Sequence, residues 1–166
     1  VQTAARDSTI NPYYRDICRV NVDTGELTIL ASGTYDHVVF GPDSFHVKIR
    51  HLLGLDGPDV RGVSPNGDYL VTTRSRVDEL PISLLINREG QEVLELETAN
   101  PIGLPKGWQW PQPVTFIAAD GHTDLYGVIY PPPGFSPEKS YPVLDFSCAH
   151  PGYSYVPHGA FVNGPF

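Results

Sequence analysis

At 166 residues the chain holds one domain, or one and a fraction. Its 16 Gly and 17 Pro make one residue in five a chain-punctuating type, which argues against long helices and for short strands joined by tight turns. The net charge is −8 and the basic residues, such as Arg74, Arg76 and Arg88, are scattered among acids, which argues against a nucleic-acid surface; no apolar run reaches the roughly 18 residues of a membrane-spanning helix.

The opening Val1-Gln2-Thr3-Ala4-Ala5-Arg6 lacks the basic and apolar regions of a signal peptide, so it fits either a mature chain or a cut piece. Residues 16–22 then alternate polar and apolar with period two. A turn at Asp23-Thr24-Gly25 follows, and 26–30 resumes the alternation. An Asx residue and a Gly between alternating segments predict a β-hairpin. A weaker strand–turn echo lies at 39–44. Residues 62–71 predict a short strand, a turn at Pro65-Asn66-Gly67 and a second strand. Residues 82–87 and 91–96 predict another hairpin across Arg88-Glu89-Gly90. The span 61–97 is thus expected to hold about four strands, in roughly the 40 residues of one propeller blade; an isolated β-sandwich is the alternative. Two blade-like units cannot close a propeller, which takes about four to eight, so a larger whole is expected.

From 101 to 113 the chain changes character. Pro101, Pro105, Pro111 and Pro113 alternate with Gly103, Gly107, Trp108 and Trp110. Prolines fix φ and remove donors, so this stretch predicts a semi-rigid linker packed by its two Trp, with a domain boundary here. Residues 1–100 precede it and 114–166 follow. In the latter, 114–118 and 123–130 predict strands across an Asp120-Gly121 turn. The apolar run 141–148 predicts a strand buried on both faces, and 149–166 a loop.

Chemistry is sparse. The string Gly62-Val63-Ser64-Pro65-Asn66 approaches G-x-S-x-G, but Asn66 replaces the second Gly and Pro65 has no N–H to offer an oxyanion; it predicts a β-turn. The histidines, His37, His46, His51, His122, His150 and His158, lack metal-helix spacing. Cys18 and Cys148 lack ligand-type neighbours, so two buried thiols are expected rather than a metal site, with a disulfide between them as the alternative. Cys148 with His150 or His158 could form a thiolate pair only if folding made them adjacent. Asp78-Glu79 predicts a solvated edge. Glu92, Glu95 and Glu97 predict a charged outer strand that discourages pairing with other chains. No Gly-rich phosphate loop occurs, and no cofactor is expected.

Several strings carry a resemblance. They are Trp108-Gln109-Trp110-Pro111-Gln112-Pro113-Val114-Thr115-Phe116; Ala119-Asp120-Gly121-His122-Thr123-Asp124-Leu125-Tyr126-Gly127-Val128-Ile129-Tyr130; Pro132-Pro133-Gly134-Phe135-Ser136-Pro137; and Tyr141-Pro142-Val143-Leu144-Asp145. In order and spacing they resemble the prolyl oligopeptidase family of serine peptidases, in its dipeptidyl peptidase IV-like branch. Upstream, Asn11-Pro12-Tyr13-Tyr14-Arg15 and Ser64-Pro65-Asn66-Gly67-Asp68-Tyr69 look like late propeller blades of that family; roughly 41–60 looks like an insertion.

The resemblance implies a mainly β chain: partial β-propeller blades over 1–100, then the first strands of an α/β-hydrolase domain over 114–166. It implies a peptide substrate for a longer parent whose catalytic Ser, Asp and His lie downstream of Phe166, and whose amine-anchoring acids lie upstream of Val1. This chain alone would then be inactive. Related peptidases are often periplasmic or secreted, and unsheltered strand edges would favour homo-oligomers. The family's oxyanion-stabilising tyrosine corresponds to Cys148, six residues after Pro142. A thiol is a weak donor, and losing one oxyanion donor costs about 10²–10³ in rate. His150, where the family has Gly, is the candidate substitute donor. A non-catalytic relative acting as a β-rich interaction module is the alternative.

Overall fold

The period-two segments become strands, and every strand finds an antiparallel partner. A computed structural model describes residues 1–39, 62–100 and 103–146. Among these the chain is mainly β, with nine strands and no helix, arranged as three separate antiparallel sheets. No helix of the described residues is long and apolar enough to cross a membrane.

The first sheet has the order β1-β2-β3, from Gln2–Ala4, Arg15–Val20 and Leu27–Ala31. The expected hairpin is β2–β3, but Asn21 and Val22 belong to its turn. The Asn21 side-chain oxygen accepts the N–H groups of Asp23 and Thr24 at 2.9 and 3.2 Å, and Gly25 closes the loop onto the Asn21 carbonyl at 2.8 Å. An Asx side chain that captures backbone donors in this way ends a strand. Strand β1 was not expected. Three residues are too short to show a period, and it exists because β2 supplies a ladder from Ala4↔Arg15 to Gln2↔Ile17.

The second sheet is a meander, β4-β5-β6-β7, from Asp36–Val39, Tyr69–Arg76, Glu79–Asn87 and Glu92–Thr98. The expectation of about four strands within 61–97 is corrected: that span supplies three, plus the single bridge Val63↔Leu70. The fourth strand, β4, comes from upstream. Only the Val39 end of the expected 39–44 echo is among the described residues. Strand β6 starts at Glu79, before the expected Ile82. Pro81 fits there because the β5–β6 register shifts between Arg74 and Arg76, so a missing donor breaks no ladder bond.

Alternation then builds the core. Ile82, Leu84 and Ile86 share one face of β6, and Leu84 and Ile86 are buried with Leu70 of β5 and Ile17 of β2. Leu30, Ala31 and Val39 pack around them. Each fully buried side chain of this size contributes about 1.5–3 kcal/mol, so the two sheets are joined by an apolar seam. On the outer edge all seven residues of β7 are exposed: Glu92, Glu95 and Glu97, as expected of a charged edge, but Val93, Leu94 and Leu96 as well.

The third sheet is the expected hairpin, β8 (Gln112–Ile117) and β9 (Asp124–Ile129). It takes Gln112 and Pro113 from the stretch assigned to the linker. Pro113 is tolerated because β8 has one hydrogen-bonded neighbour and an open edge. Of the rest of the linker, the stretch 107–109 folds back on the Pro132–Phe135 turn: Gly134 N donates to Gly107 O at 2.7 Å and Gln109 Nε2 to Phe135 O at 3.2 Å. Trp108 and Trp110 meet edge to face at 4.8 Å. The expected strand over 141–148 is not formed across 141–146. Among the described residues nothing pairs with it, and Val143 and Leu144 stand 88% and 96% exposed. An apolar run with no ladder partner has nothing to satisfy its backbone as a strand.

Candidate functional site

Where β2 meets β4, charged side chains are buried together. Asp36 is 3% exposed. Its Oδ1 accepts the Arg15 backbone N–H at 2.9 Å and Nε at 2.8 Å, and its Oδ2 accepts the second guanidinium arm at 2.5 Å. This two-pronged match uses the fixed fork of arginine, which lysine could not copy. Beside it lies His37, 4% exposed, with Nδ1 3.1 Å from the Arg15 carbonyl. A carbonyl can only accept, so Nδ1 carries the proton. Gln2 Nε2 donates to the His37 carbonyl at 3.1 Å, drawing β1 into the same junction. Asp16 is also buried; one carboxylate oxygen has no partner and the other stands 3.9 Å from Arg6 Nε. Asp36, His37 and Asp16 are too deeply buried to meet a substrate, and with the half-exposed Arg15 they fasten one sheet to the next.

Burial pushes the His37 imidazole below its ordinary value, against the raising effects of the Arg15 hydrogen bond and of Asp36 and Asp16, and with a further lowering from Arg74. A depressed folded-state value means that the unfolded chain binds the extra proton first. Stability from this residue is complete above the unfolded value of about 6.5 and is lost as pH falls through that value towards the folded one. Urea unfolding midpoints at pH 7.5 and 5.5 are expected to fall further for the wild type than for His37→Gln; equal falls would refute the assignment.

A second charged group closes the β5–β6 turn. Arg76 grips Asp78 at 2.8 and 2.6 Å and reaches Glu79 at 3.3 Å. The Tyr35 ring lies under Arg74 and Arg76, at 5.4 and 5.8 Å to the centroid. Asp78-Glu79 is therefore not simply a solvated edge: Asp78 is partly buried as the counter-ion of Arg76, and Glu79 begins β6. Burial also raises the Tyr14 phenol, with Arg76 opposing. Neither pairing, Asp36 with Arg15 nor Arg76 with Asp78, was legible in the sequence. The alternation Tyr35, His37, Val39 was the available signal for β4, but at four residues it is too short to stand out.

The expected site residues fare as follows. Cys148 and His150, with His158, lie outside the described residues, as do His46 and His51. Cys18 is the buried free thiol expected, with Sγ 3.5 Å from Thr3 Oγ1. Ser64 sits in a turn and not on an elbow. Its hydroxyl donates to Asn66 Oδ1 at 2.8 Å and accepts from Tyr69 N at 3.0 Å, and Gly67 N closes on Ser64 O at 2.9 Å. His122 is exposed on the β8–β9 turn. There Asp120 Oδ1 accepts His122 N and Thr123 N at 3.0 and 2.9 Å, and Oδ2 accepts the Thr123 hydroxyl at 2.5 Å. These bonds, the Thr123 hydroxyl first, hold the Asp120 carboxyl below its usual range. They also explain the Asp-Gly-x-Thr pattern: Asp caps the turn, Gly121 supplies φ of 80°, and Thr returns a donor.

A cleft of about 320 Å³ opens between the segment 8–14 and the β8–β9 hairpin, with Ser8, Thr9, Thr115, Asp124 and Tyr126 in its wall. Tyr13 and Tyr126 meet edge to face at 6.0 Å across this junction. Among the described residues no three His, Cys, Asp or Glu side chains converge as metal ligands would.

No protein-family model matches the chain, and no curated protein matches it. Chemically, the described part offers buried junctions that hold sheets together, a capped hairpin, and an open polar cleft.

Proposed function

We propose that the chain is a segment of a serine-type exopeptidase of the prolyl oligopeptidase family, in its dipeptidyl peptidase IV-like branch. On this reading the sheets of β1–β7 are late β-propeller blades, and β8–β9 begins an α/β-hydrolase domain. The longer protein would release dipeptides from the free N-terminus of a peptide substrate, and the segment alone would be inactive because the triad is supplied from elsewhere. The observation that carries the reading is the order of parts. A four-stranded antiparallel meander is followed by a Trp-Pro linker, and then by a hairpin whose turn is capped through Asp120-Gly121-His122-Thr123. That order matches the order of the strings on which the resemblance rests.

In such a protein the acyl-transfer step needs donors aimed at the developing oxyanion. Cys148 at the tyrosine position favours a second reading, that of a non-catalytic relative acting as an interaction module, because a thiol donates weakly. His150 is the substitute donor under the first reading.

The test uses a protein carried on through the downstream reading frame. The peptidase reading expects that frame to encode G-x-S-x-G, the protein to react with a fluorophosphonate, and dipeptidyl p-nitroanilides to be cleaved. His150→Ala should then lower kcat with KM little changed; unchanged kcat would remove His150 from the mechanism. A frame with G-x-S-x-G whose protein neither reacts with the fluorophosphonate nor turns over substrate would favour the non-catalytic reading, and a frame without G-x-S-x-G would overturn the proposal.

A further inference from the structure

We propose that Asn66 is a latent site of spontaneous modification: it loses its side-chain amide to attack by the Gly67 nitrogen when the 64–69 turn opens, and Ser64 and Asp68 keep it intact while the turn is closed. The proposal does not depend on the peptidase reading.

An asparagine deamidates when the backbone nitrogen of the next residue bonds to its Cγ. The Cγ–Nδ2 bond breaks, the N–H proton passes through solvent to the leaving nitrogen, and ammonia departs from a five-membered imide. Water then opens the ring. Attack at Cγ gives Asp, and attack at the backbone carbonyl gives isoaspartate, whose main chain runs through Cβ and Cγ. A side chain on the next residue crowds the first step, and glycine has none. The six Asn differ accordingly. Asn11 and Asn100 precede Pro, which has no N–H to lose, while Asn21 precedes Val and Asn87 precedes Arg. Asn66 and Asn163 precede Gly, and Asn163 lies outside the described residues. Asn66 and Gly67 are both exposed, so water reaches the reacting atoms. The turn itself imposes this reactive pair, because Gly67 has φ of 73°, where other residues are strained.

In the closed turn every participant is engaged. The attacking Gly67 N donates to Ser64 O at 2.9 Å. Asn66 Nδ2 donates to Asp68 Oδ2 at 2.5 Å, and Asn66 Oδ1 accepts the Ser64 hydroxyl at 2.8 Å and Asp68 N at 3.3 Å. Asp68 is held in turn by Arg88 Nη1 at 3.4 Å. The attack draws Cγ to bonding distance of Gly67 N, and a side chain tied at three points yields only when those ties break. One of them ends on a charged acceptor, the stronger class of hydrogen bond. The change is also one-way. Asp at 66 sets a carboxylate against Asp68 where an amide N–H now donates. Isoaspartate adds a main-chain atom inside the loop that Ser64 N closes onto Tyr69 O at 2.9 Å, next to the buried Leu70. Either product leaves a turn that cannot close as before.

The experiment incubates the full chain at neutral pH in buffer and in concentrated guanidinium chloride. Peptide mass spectrometry reads the Asn-to-Asp mass gain at position 66, and enzymatic methyl transfer reads isoaspartate. In denaturant Asn66 is expected to convert at about the rate of Asn163, which shares its dipeptide. In buffer Asn66 should convert about tenfold more slowly or less, the worth of the bonds that must first open. Ser64→Ala removes the hydroxyl tie and should speed conversion in buffer several-fold while leaving the rate in denaturant unchanged. Asp68→Ala should do the same, and serves if Ser64→Ala fails to fold. Equal rates in buffer and denaturant, no conversion of Asn66 in denaturant, or the wild-type rate in a folded Ser64→Ala or Asp68→Ala protein would overturn the proposal.

Discussion

Gly90→Ala is expected to lower the unfolding free energy by about 2–5 kcal/mol, and the reason is two separate constraints at one turn. The first is conformational. Gly90 has φ of 85° in the β6–β7 turn, where its N–H bonds to the Asn87 carbonyl at 2.9 Å. A side chain in that left-handed region costs roughly 1–2 kcal/mol. The second is contact between sheets. A Cβ at this position would meet the Leu30 carbonyl oxygen and lie 2.9 Å from Leu30 Cα and 3.0 Å from its carbonyl carbon. These are main-chain atoms of β3 and cannot rotate away. Forcing the sheets apart adds about 1–3 kcal/mol, the usual cost of overpacking. The same seam carries Arg19, whose guanidinium donates to the Arg88 carbonyl at 3.0 Å.

Gly25→Ala is the comparison. Gly25 has φ of 74° in the β2–β3 turn with nothing near an added Cβ, so it should cost only the conformational part, about 1–2 kcal/mol. Urea denaturation of both variants measures the difference. Equal losses would show that β3 and the β6–β7 turn do not approach each other as described.

Asp36→Ala is expected to cost about 2–4 kcal/mol. The change removes the acceptor of three hydrogen bonds, one of them from a backbone N–H at the start of β2. Breaking a buried ion pair by removing one partner typically costs about 3–5 kcal/mol. Here the figure is discounted because the Arg15 side chain is 43% exposed and recovers water. What water cannot replace easily is the Arg15 N–H, which loses its partner at about 1–3 kcal/mol. Asp36→Asn keeps an acceptor oxygen for that N–H but gives up the charge and the second acceptor, turning an amide N–H2 towards the guanidinium arm, so it should cost less than Asp36→Ala only to the extent that the backbone bond matters. If both variants lose the same amount, the charge of the pair is what matters and the backbone bond contributes little. Thermal or urea unfolding of the two proteins decides.

Both effects act at the junction between the first two sheets, and that junction was the least legible part of the chain. The hairpins themselves were readable. Alternation over 26–30 and 82–87, with Gly-containing turns at 23–25, 88–90 and 120–121, pointed to β2–β3, β6–β7 and β8–β9 with boundaries shifted by up to three residues. The shifts have local causes: Asn21 captures donors and ends β2 early, while a register shift lets β6 begin before Pro81. Strands β1 and β4 were not readable, because three or four residues carry no period and form only where a longer neighbour offers a ladder. The run 141–148 misled in the opposite direction. It has the apolar character of a buried strand, yet over 141–146 no partner among the described residues pairs with it.

The candidate chemistry divides in the same way. The Ser64 turn was read correctly because Pro65 and Asn66 are incompatible with a nucleophile elbow on local grounds. The cleft at Asp124 could not be read, since its walls are about a hundred residues apart in sequence. The sequence by itself determined the β character of the chain, its turns, the charged outer face of β7 and the capped Asp120–Thr123 corner, because each depends on contacts within a few residues. The tertiary structure alone decided that Asp36 answers Arg15, that His37 is buried neutral between two sheets, and that Gly90 touches Leu30. Those pairings join residues about 20 to 60 positions apart, and no local propensity distinguishes them from the many that packing rejects.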